Sequence, residues 1–160
     1  MQIFAIDPSP VVSAQALDDR RLNKMVVETA QLLCNAVHLL NPIHTPYKPF
    51  ALNHPACLWA VSHVDNSSWL LQHFHALVTE RLRRNMPQHA SANLFPFFAE
   101  HVLLTSSTPA HFYNGAKRRS LNIDFTFLPV HDAYKAYLVF RWSNSKIPPT
   151  WTQPSMRPSF

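Results

Sequence analysis

Apolar residues at spacings of three and four dominate the first quarter of the chain. Leu22, Met25, Val26, Thr29, Leu32, Leu33, Ala36, Val37 and Leu40 fall on one face of a helix, predicted over residues 13–40. Ser9 or Ser13 suits its start, Asp18 and Asp19 fall in its early turns, and Asn41-Pro42 ends it. Before it, Ile3, Phe4 and Ile6 form a short apolar segment expected to pack into the core. Residues 41–55 carry Pro42, Pro46, Pro49 and Pro55 and read as an extended connection. A second helical stretch opens at Asn53-His54-Pro55, with Pro55 at the first helical position, and continues to Asn85-Met86-Pro87. Asp65-Asn66-Ser67-Ser68 offers an interruption and a new cap, so one helix and two both fit the pattern. A shorter helix is expected over 94–104 and a last one over 130–143, with Tyr134, Tyr137, Leu138 and Trp142 near one side. An irregular proline-rich tail follows from about residue 147. No internal repeat or boundary divides the chain. The expectation is an all-α fold: a single domain, 1–160, of four to five helices with proline-rich connections.

Composition sharpens this. Among 160 residues there is one glycine, Gly115, against 14 prolines. Gly-rich phosphate loops, Rossmann turns and tight hairpins need glycine where φ is positive or a ligand approaches the backbone, so those classes are poor fits. Two cysteines, Cys34 and Cys57, make neither a disulfide framework nor a C-x-x-C pair. The start of the chain shows no basic region leading into an apolar stretch, and no apolar run approaches membrane-spanning length. A soluble cytoplasmic protein, in a bacterium or a phage-infected host, with no membrane partner is expected.

Charge points to a partner. Lys and Arg number 14 against 9 Asp and Glu, a formal net charge of +5, which favours a polyanion. The cations are grouped as Arg20-Arg21-Lys24, Arg81-Arg83-Arg84 and Lys117-Arg118-Arg119, with none between Lys48 and Arg81. Converging, they would track a phosphate backbone; scattered, they are ordinary surface charge. Phe112, Tyr113, Trp142 and Trp151 could stack on bases or fill the core. On the polar side of the first helix, Arg20, Lys24, Glu28, Gln31 and Asn35 recur at helical spacing. This is either a solvated face with a weak Lys24–Glu28 pair or a lone carboxylate held among phosphate-binding cations. Spacing does not choose. His73-x-His75 points to two faces of a helix, and no H-E-x-x-H occurs, so neither a metal site nor a cofactor is expected.

The segment Leu17-Asp18-Asp19-Arg20-Arg21-Leu22-Asn23-Lys24-Met25-Val26-Val27-Glu28 resembles the first helix of the pyrimidine dimer DNA glycosylases of the endonuclease V type. That helix reads approximately D-Q-H-L-x-A-E-x-R-E and ends on a catalytic Glu. With Asp19 and Leu22 aligned on its Asp and Leu, Glu28 falls on the catalytic position without a gap. Asn53-His54-Pro55 leading to Leu58-Trp59 is similar to the family's Gly-His segment, and Pro149-Thr150-Trp151 to its Pro-Thr-Trp. A branch of short phage proteins is closer, sharing Met1-Gln2-Ile3-Phe4, the run from Asp18 to Leu33, Tyr47-Lys48-Pro49 and Asn53-His54-Pro55 over some two-thirds of the chain.

The resemblance implies a small monomeric all-α DNA-repair enzyme that binds damaged double-stranded DNA and flips a base. A neutral amine attacks C1′, the base leaves as a Schiff base forms, and abasic-site lyase action cleaves the strand. An α-amine suits this because its ordinary pKa, about 7.7–8, leaves a useful neutral fraction at neutral pH. The resemblance makes Glu28 the catalytic carboxylate, with the Met1 α-amine or Lys24 as nucleophile. Expected DNA contacts are Arg20, Arg21, His54, Arg83, Arg84, Lys117, Arg118, Arg119 and Trp151. The sequence departs from the pattern at Gln2, where the characterised enzymes expose a Thr after losing the initiator Met, and at Arg21, Val27, Gln31 and Thr152-Gln153-Pro154. Those departures keep two other readings open: a non-catalytic DNA-binding module and a phage nucleotide- or base-modification enzyme.

Overall fold

The computed structural model describes residues 1–152 and 157–160. Six α-helices make up most of the regular secondary structure: α1 (Pro10–Gln15), α2 (Asp19–Leu40), α3 (Pro55–Ser62), α4 (Val64–Arg83), α5 (Phe95–His101) and α6 (Val130–Ser143). Two 3₁₀ turns, Ala90–Leu94 and Arg119–Leu121, and two short strands, β1 (Lys117–Arg118) and β2 (Ile123–Asp124), complete them. The fold is all-α in class, with α2 packed against α3 and α4, and α1 laid on α4. The core runs from Ile3 to Leu138, and Ile3, Phe4, Ala5 and Ile6 are buried in it. Among the described residues no helix is long and apolar enough to cross a membrane.

Two helices expected as continuous, or left open, are divided, and capping explains both divisions. The 13–40 helix breaks at Ala16–Asp18. Ser9 caps α1, its Oγ accepting the Val12 N–H at 3.4 Å, and Asp18 caps α2, its carboxylate accepting the Arg21 N–H at 3.1 Å. Ser13 caps nothing; it is buried and bonds the Asp7 backbone in both directions. The 53–85 stretch is two helices that meet at His63, not at Asp65–Ser68. His63 is extended (φ −154°, ψ 147°), and its Nδ1 accepts the Asp65 N–H at 3.2 Å. Asn66, now inside α4, donates to the Trp59 carbonyl at 2.7 Å, one of the carbonyls that the end of α3 leaves unpaired. These divisions bring the count to six α-helices among the described residues.

The region after α5 holds a small antiparallel hairpin in which Lys117 faces Asp124 and Arg118 faces Ile123. Its turn uses no glycine. Asn122 takes the left-handed position (φ 50°, ψ 46°), which an Asn tolerates better than most side chains. The tail and the end of α6 are both tied back to the start of α2: the Asp19 N–H donates to the Thr150 carbonyl at 2.9 Å, and the Trp142 indole donates to Asp18 at 2.7 Å. Gln153 and Pro154, part of the expected tail, lie outside the described residues.

Candidate active site

Glu28 lies near the middle of α2, half-buried, at the flank of the Leu22–Met25–Val26–Thr29 face. One turn earlier, Lys24 reaches it: Nζ sits 2.9 Å from Oε1. The other carboxylate oxygen, Oε2, accepts the backbone N–H of Gln2 at 3.2 Å. That bond carries the beginning of the chain to the carboxylate. The Met1 nitrogen, one residue earlier, is therefore no more than about 7 Å from Oε2. His54, the N-cap of α3, lies close enough to register both groups. Burial lowers its pKa, the α-amine lowers it further, and Glu28 acts in the opposite sense. Its Nδ1 accepts the Ala56 N–H at 3.1 Å, which in the neutral ring leaves the proton on Nε2. Burial raises the Cys57 thiol, against the Asn35 hydrogen bond and the nearby amine.

Glu28 lines a small recess of about 60 Å³ together with Gln2, Phe4, Arg21, Lys24 and Arg141. The recess adjoins a wider groove of about 390 Å³. Arg20, Arg21 and Lys24 of α2 line that groove together with Arg118, Arg141 and Lys146, and among the described residues no acidic side chain lines it. Arg21, Lys24 and Arg141 line both spaces. Arg21 is oriented by its ion pair with the buried Asp18, and Arg141 by a 3.0 Å hydrogen bond to the Tyr137 hydroxyl. Chemically this is a carboxylate paired with one amine, Lys24, with the chain's α-amine no more than about 7 Å away, in a recess that adjoins a groove suited to phosphodiester oxygens.

Several of the expected contacts lie elsewhere. Arg84 is a correction: it is 1 % exposed, and its guanidinium is taken up by Glu80, Asp19 and the Leu17 and Gln15 carbonyls. Arg83 remains exposed but forks onto Glu80 at 2.7 and 2.8 Å. Arg81 is buried, with its guanidinium on Asn23 and the Pro87 carbonyl. The second cationic cluster thus holds helices together. Burial would push Glu80 up, but the hydrogen bonds from Arg83 and Arg84 outweigh it and hold the carboxyl below its usual range. Lys117 and Arg119 are exposed but line neither space. Trp151 is half-buried, its ring edge-on to Trp142 at 5.2 Å with Arg157 above it. His73 is structural: fully buried against Trp69, it bonds the Pro10 carbonyl at 3.0 Å, and burial lowers its pKa to about 4.

Reading the sequence in runs of charge missed Arg141 and Lys146. Each is a single cation, and only the folded chain brings Arg141 of α6, and Lys146 just beyond it, to the groove that Arg20 and Arg21 line.

A family model described as pyrimidine dimer DNA glycosylase matches residues 1–94, more than half of the chain. The chain belongs to this family. No curated protein and no solved structure matches it. Membership in the pyrimidine dimer DNA glycosylase family implies a DNA-repair glycosylase with DNA as its substrate. The matched span holds Met1, Lys24, Glu28 and His54. The groove's other cations, Arg118, Arg141 and Lys146, and the Pro149-Thr150-Trp151 likeness come from the unmatched remainder.

Proposed function

We propose that the protein is a DNA glycosylase with associated abasic-site lyase activity on damaged duplex DNA, acting through an amine and Glu28. The observation that carries this reading is the Gln2 N–H to Glu28 hydrogen bond, which keeps the Met1 α-amine beside the one carboxylate of the basic recess. The amine lone pair forms a bond to C1′ of the damaged nucleotide. The C1′–N glycosidic bond breaks, and the base departs with that electron pair and takes up a proton. Glu28 accepts the proton released by the amine and returns it to O4′ as the sugar ring opens, leaving a Schiff base. Loss of a C2′ proton then expels the 3′ phosphate and cuts the strand. Lys24, 2.9 Å from the same carboxylate, is the other amine within reach.

Two duplexes test this, one with a cyclobutane pyrimidine dimer and one with an abasic site, each incubated with the protein and borohydride. The expected result is a reduced covalent adduct on both, mapped by mass spectrometry to Met1 or Lys24. No adduct and no strand break on either would overturn the reading in favour of a binding module.

The groove has its own expected result. Arg118→Ala and Arg141→Ala should each weaken duplex binding and reduce the slope of log affinity against log salt by about one. Arg83→Ala, whose partner is Glu80, should change neither. Anisotropy titrations of a labelled duplex at several salt concentrations measure both quantities. An unchanged slope for the two groove variants would place the phosphate track elsewhere.

A further inference from the structure

Chain beginnings are commonly frayed, whereas this one is gripped on several sides. The Gln2 carboxamide donates from Nε2 to the Gly115 carbonyl at 2.6 Å. Its Oε1 lies 3.4 Å from the hydroxyl of Tyr134, a fully buried residue. That hydroxyl also accepts the Gly115 N–H at 3.0 Å and lies 3.0 Å from the Tyr113 carbonyl. Gly115 is the one glycine of the sequence, and space explains it here. A Cβ at that position would meet Gln2 Oε1 and the Tyr113 ring, both at 2.6 Å. Two residues beyond Gln2, Phe4 holds φ at 45°, a conformation that Phe rarely adopts, with its ring against Tyr134 and Tyr137. On the other side, the Met1 sulfur lies 3.9 Å from Asn35 Nδ2. Asn35 is itself fully buried and fixed by both backbone groups of Phe50.

We propose that Gln2 is a positioning residue: its carboxamide, seated between Gly115 and Tyr134, holds the first peptide unit against Glu28 and so keeps the Met1 α-amine within reach of that carboxylate. The Gln2 main chain meets the carboxylate while its side chain is bonded into the α6 side of the molecule. Distance and direction of the amine are then set by packing and not by a free terminus. Reaction rates fall steeply when a nucleophile is displaced by even about 1 Å, by up to about 10²-fold. Loosening Gln2 should therefore slow covalent capture without weakening the hold on DNA. This rests on the Met1 form of the reading above.

Two variants test it. Gln2→Met keeps the length of the side chain and removes both hydrogen bonds; Gln2→Asn keeps the carboxamide but withdraws it by one methylene. Both residues are large enough that Met1 should be retained, which intact mass checks. Single-turnover borohydride trapping on an abasic duplex gives the rate, peptide mapping the adduct site, and anisotropy the affinity. The expected result is an adduct still on Met1, formed about 10–100-fold more slowly, with affinity and circular-dichroism melting close to those of the parent. A parent-like trapping rate in both variants would overturn the positioning role and leave the glycosylase reading intact. An adduct on Lys24 in the parent would also overturn the positioning role while preserving amine chemistry. No adduct in the parent would bring down the glycosylase reading itself, and the positioning role with it.

Discussion

Glu28→Gln is expected to lower strand cleavage at an abasic site by about 10²- to 10⁴-fold, the range typical of losing a general acid–base group. The substitution keeps the shape of the side chain, and its amide oxygen can still accept the Gln2 N–H. What it removes is the charge and the capacity to take a proton from the attacking amine. The Lys24 pair is lost as well, but that Lys side chain is 72 % exposed, and pairs of this kind contribute little to stability. Melting should therefore move only slightly. Duplex affinity should hold or rise, because a negative charge has left a recess shared with Arg21 and Arg141. Cleavage assays on an abasic duplex, with melting and anisotropy alongside, separate these effects. Full cleavage by the variant would leave Glu28 as no more than an ion-pair partner.

Arg84→Met should destabilise the fold by about 3–5 kcal/mol, the loss typical of breaking a buried ion pair from one side, with little change in the salt dependence of DNA binding. The guanidinium joins three elements near the α1–α2 junction. Nε bonds Glu80 at 2.7 Å within α4, while Nη1 bonds Asp19 and the Leu17 carbonyl, both at 2.9 Å. Nη2 bonds the Gln15 carbonyl at 3.0 Å, one of the C-terminal carbonyls that α1 cannot satisfy by itself. Removing the cation leaves Glu80, 2 % exposed, to Arg83 alone and strips those carbonyls of a donor. Arg83→Ala should cost far less, because Arg84 still neutralises Glu80 from within. Urea denaturation of the two variants measures the difference. If Arg84→Met melted like the parent and bound DNA more weakly, the cluster would belong to the DNA surface.

These two residues mark how far the sequence could be read. Glu28 stood out through the resemblance, whose register puts the catalytic carboxylate there; helical period fixed only which side of α2 faces out and did not choose between that role and a solvated ion pair. α6 runs over Val130–Ser143, the span the pattern predicted, for the same local reason. The α1–α2 and α3–α4 breaks were harder because capping residues compete along the chain. Ser9, Ser13, Asp18, His63 and Asn66 can each bond a nearby backbone group, and packing selects which of them does. The hairpin after α5 was not foreseen because Asn122 supplies the left-handed turn that glycine usually provides.

Charge was where local reading ended. Arg20-Arg21-Lys24 and Arg81-Arg83-Arg84 look alike as text, yet the first group borders an open groove and the second is folded onto Glu80, Asp19 and Asn23. Arg141 and Lys146 carried no signal until the fold brought them to the groove of Arg20 and Arg21. The sequence alone determined the helical class and the outward face of α2, both properties of neighbours within a few turns, and its resemblance to the family nominated the carboxylate. Tertiary structure decided which cations remain available to a phosphate, where the chain begins relative to Glu28, and why position 115 must be small. Each of those depends on contacts between residues far apart in the chain, Arg84 with Gln15 and Gln2 with Gly115. Helical periodicity does not encode such pairings, because the free energy that selects them comes from burying and satisfying groups that meet only when the whole core closes.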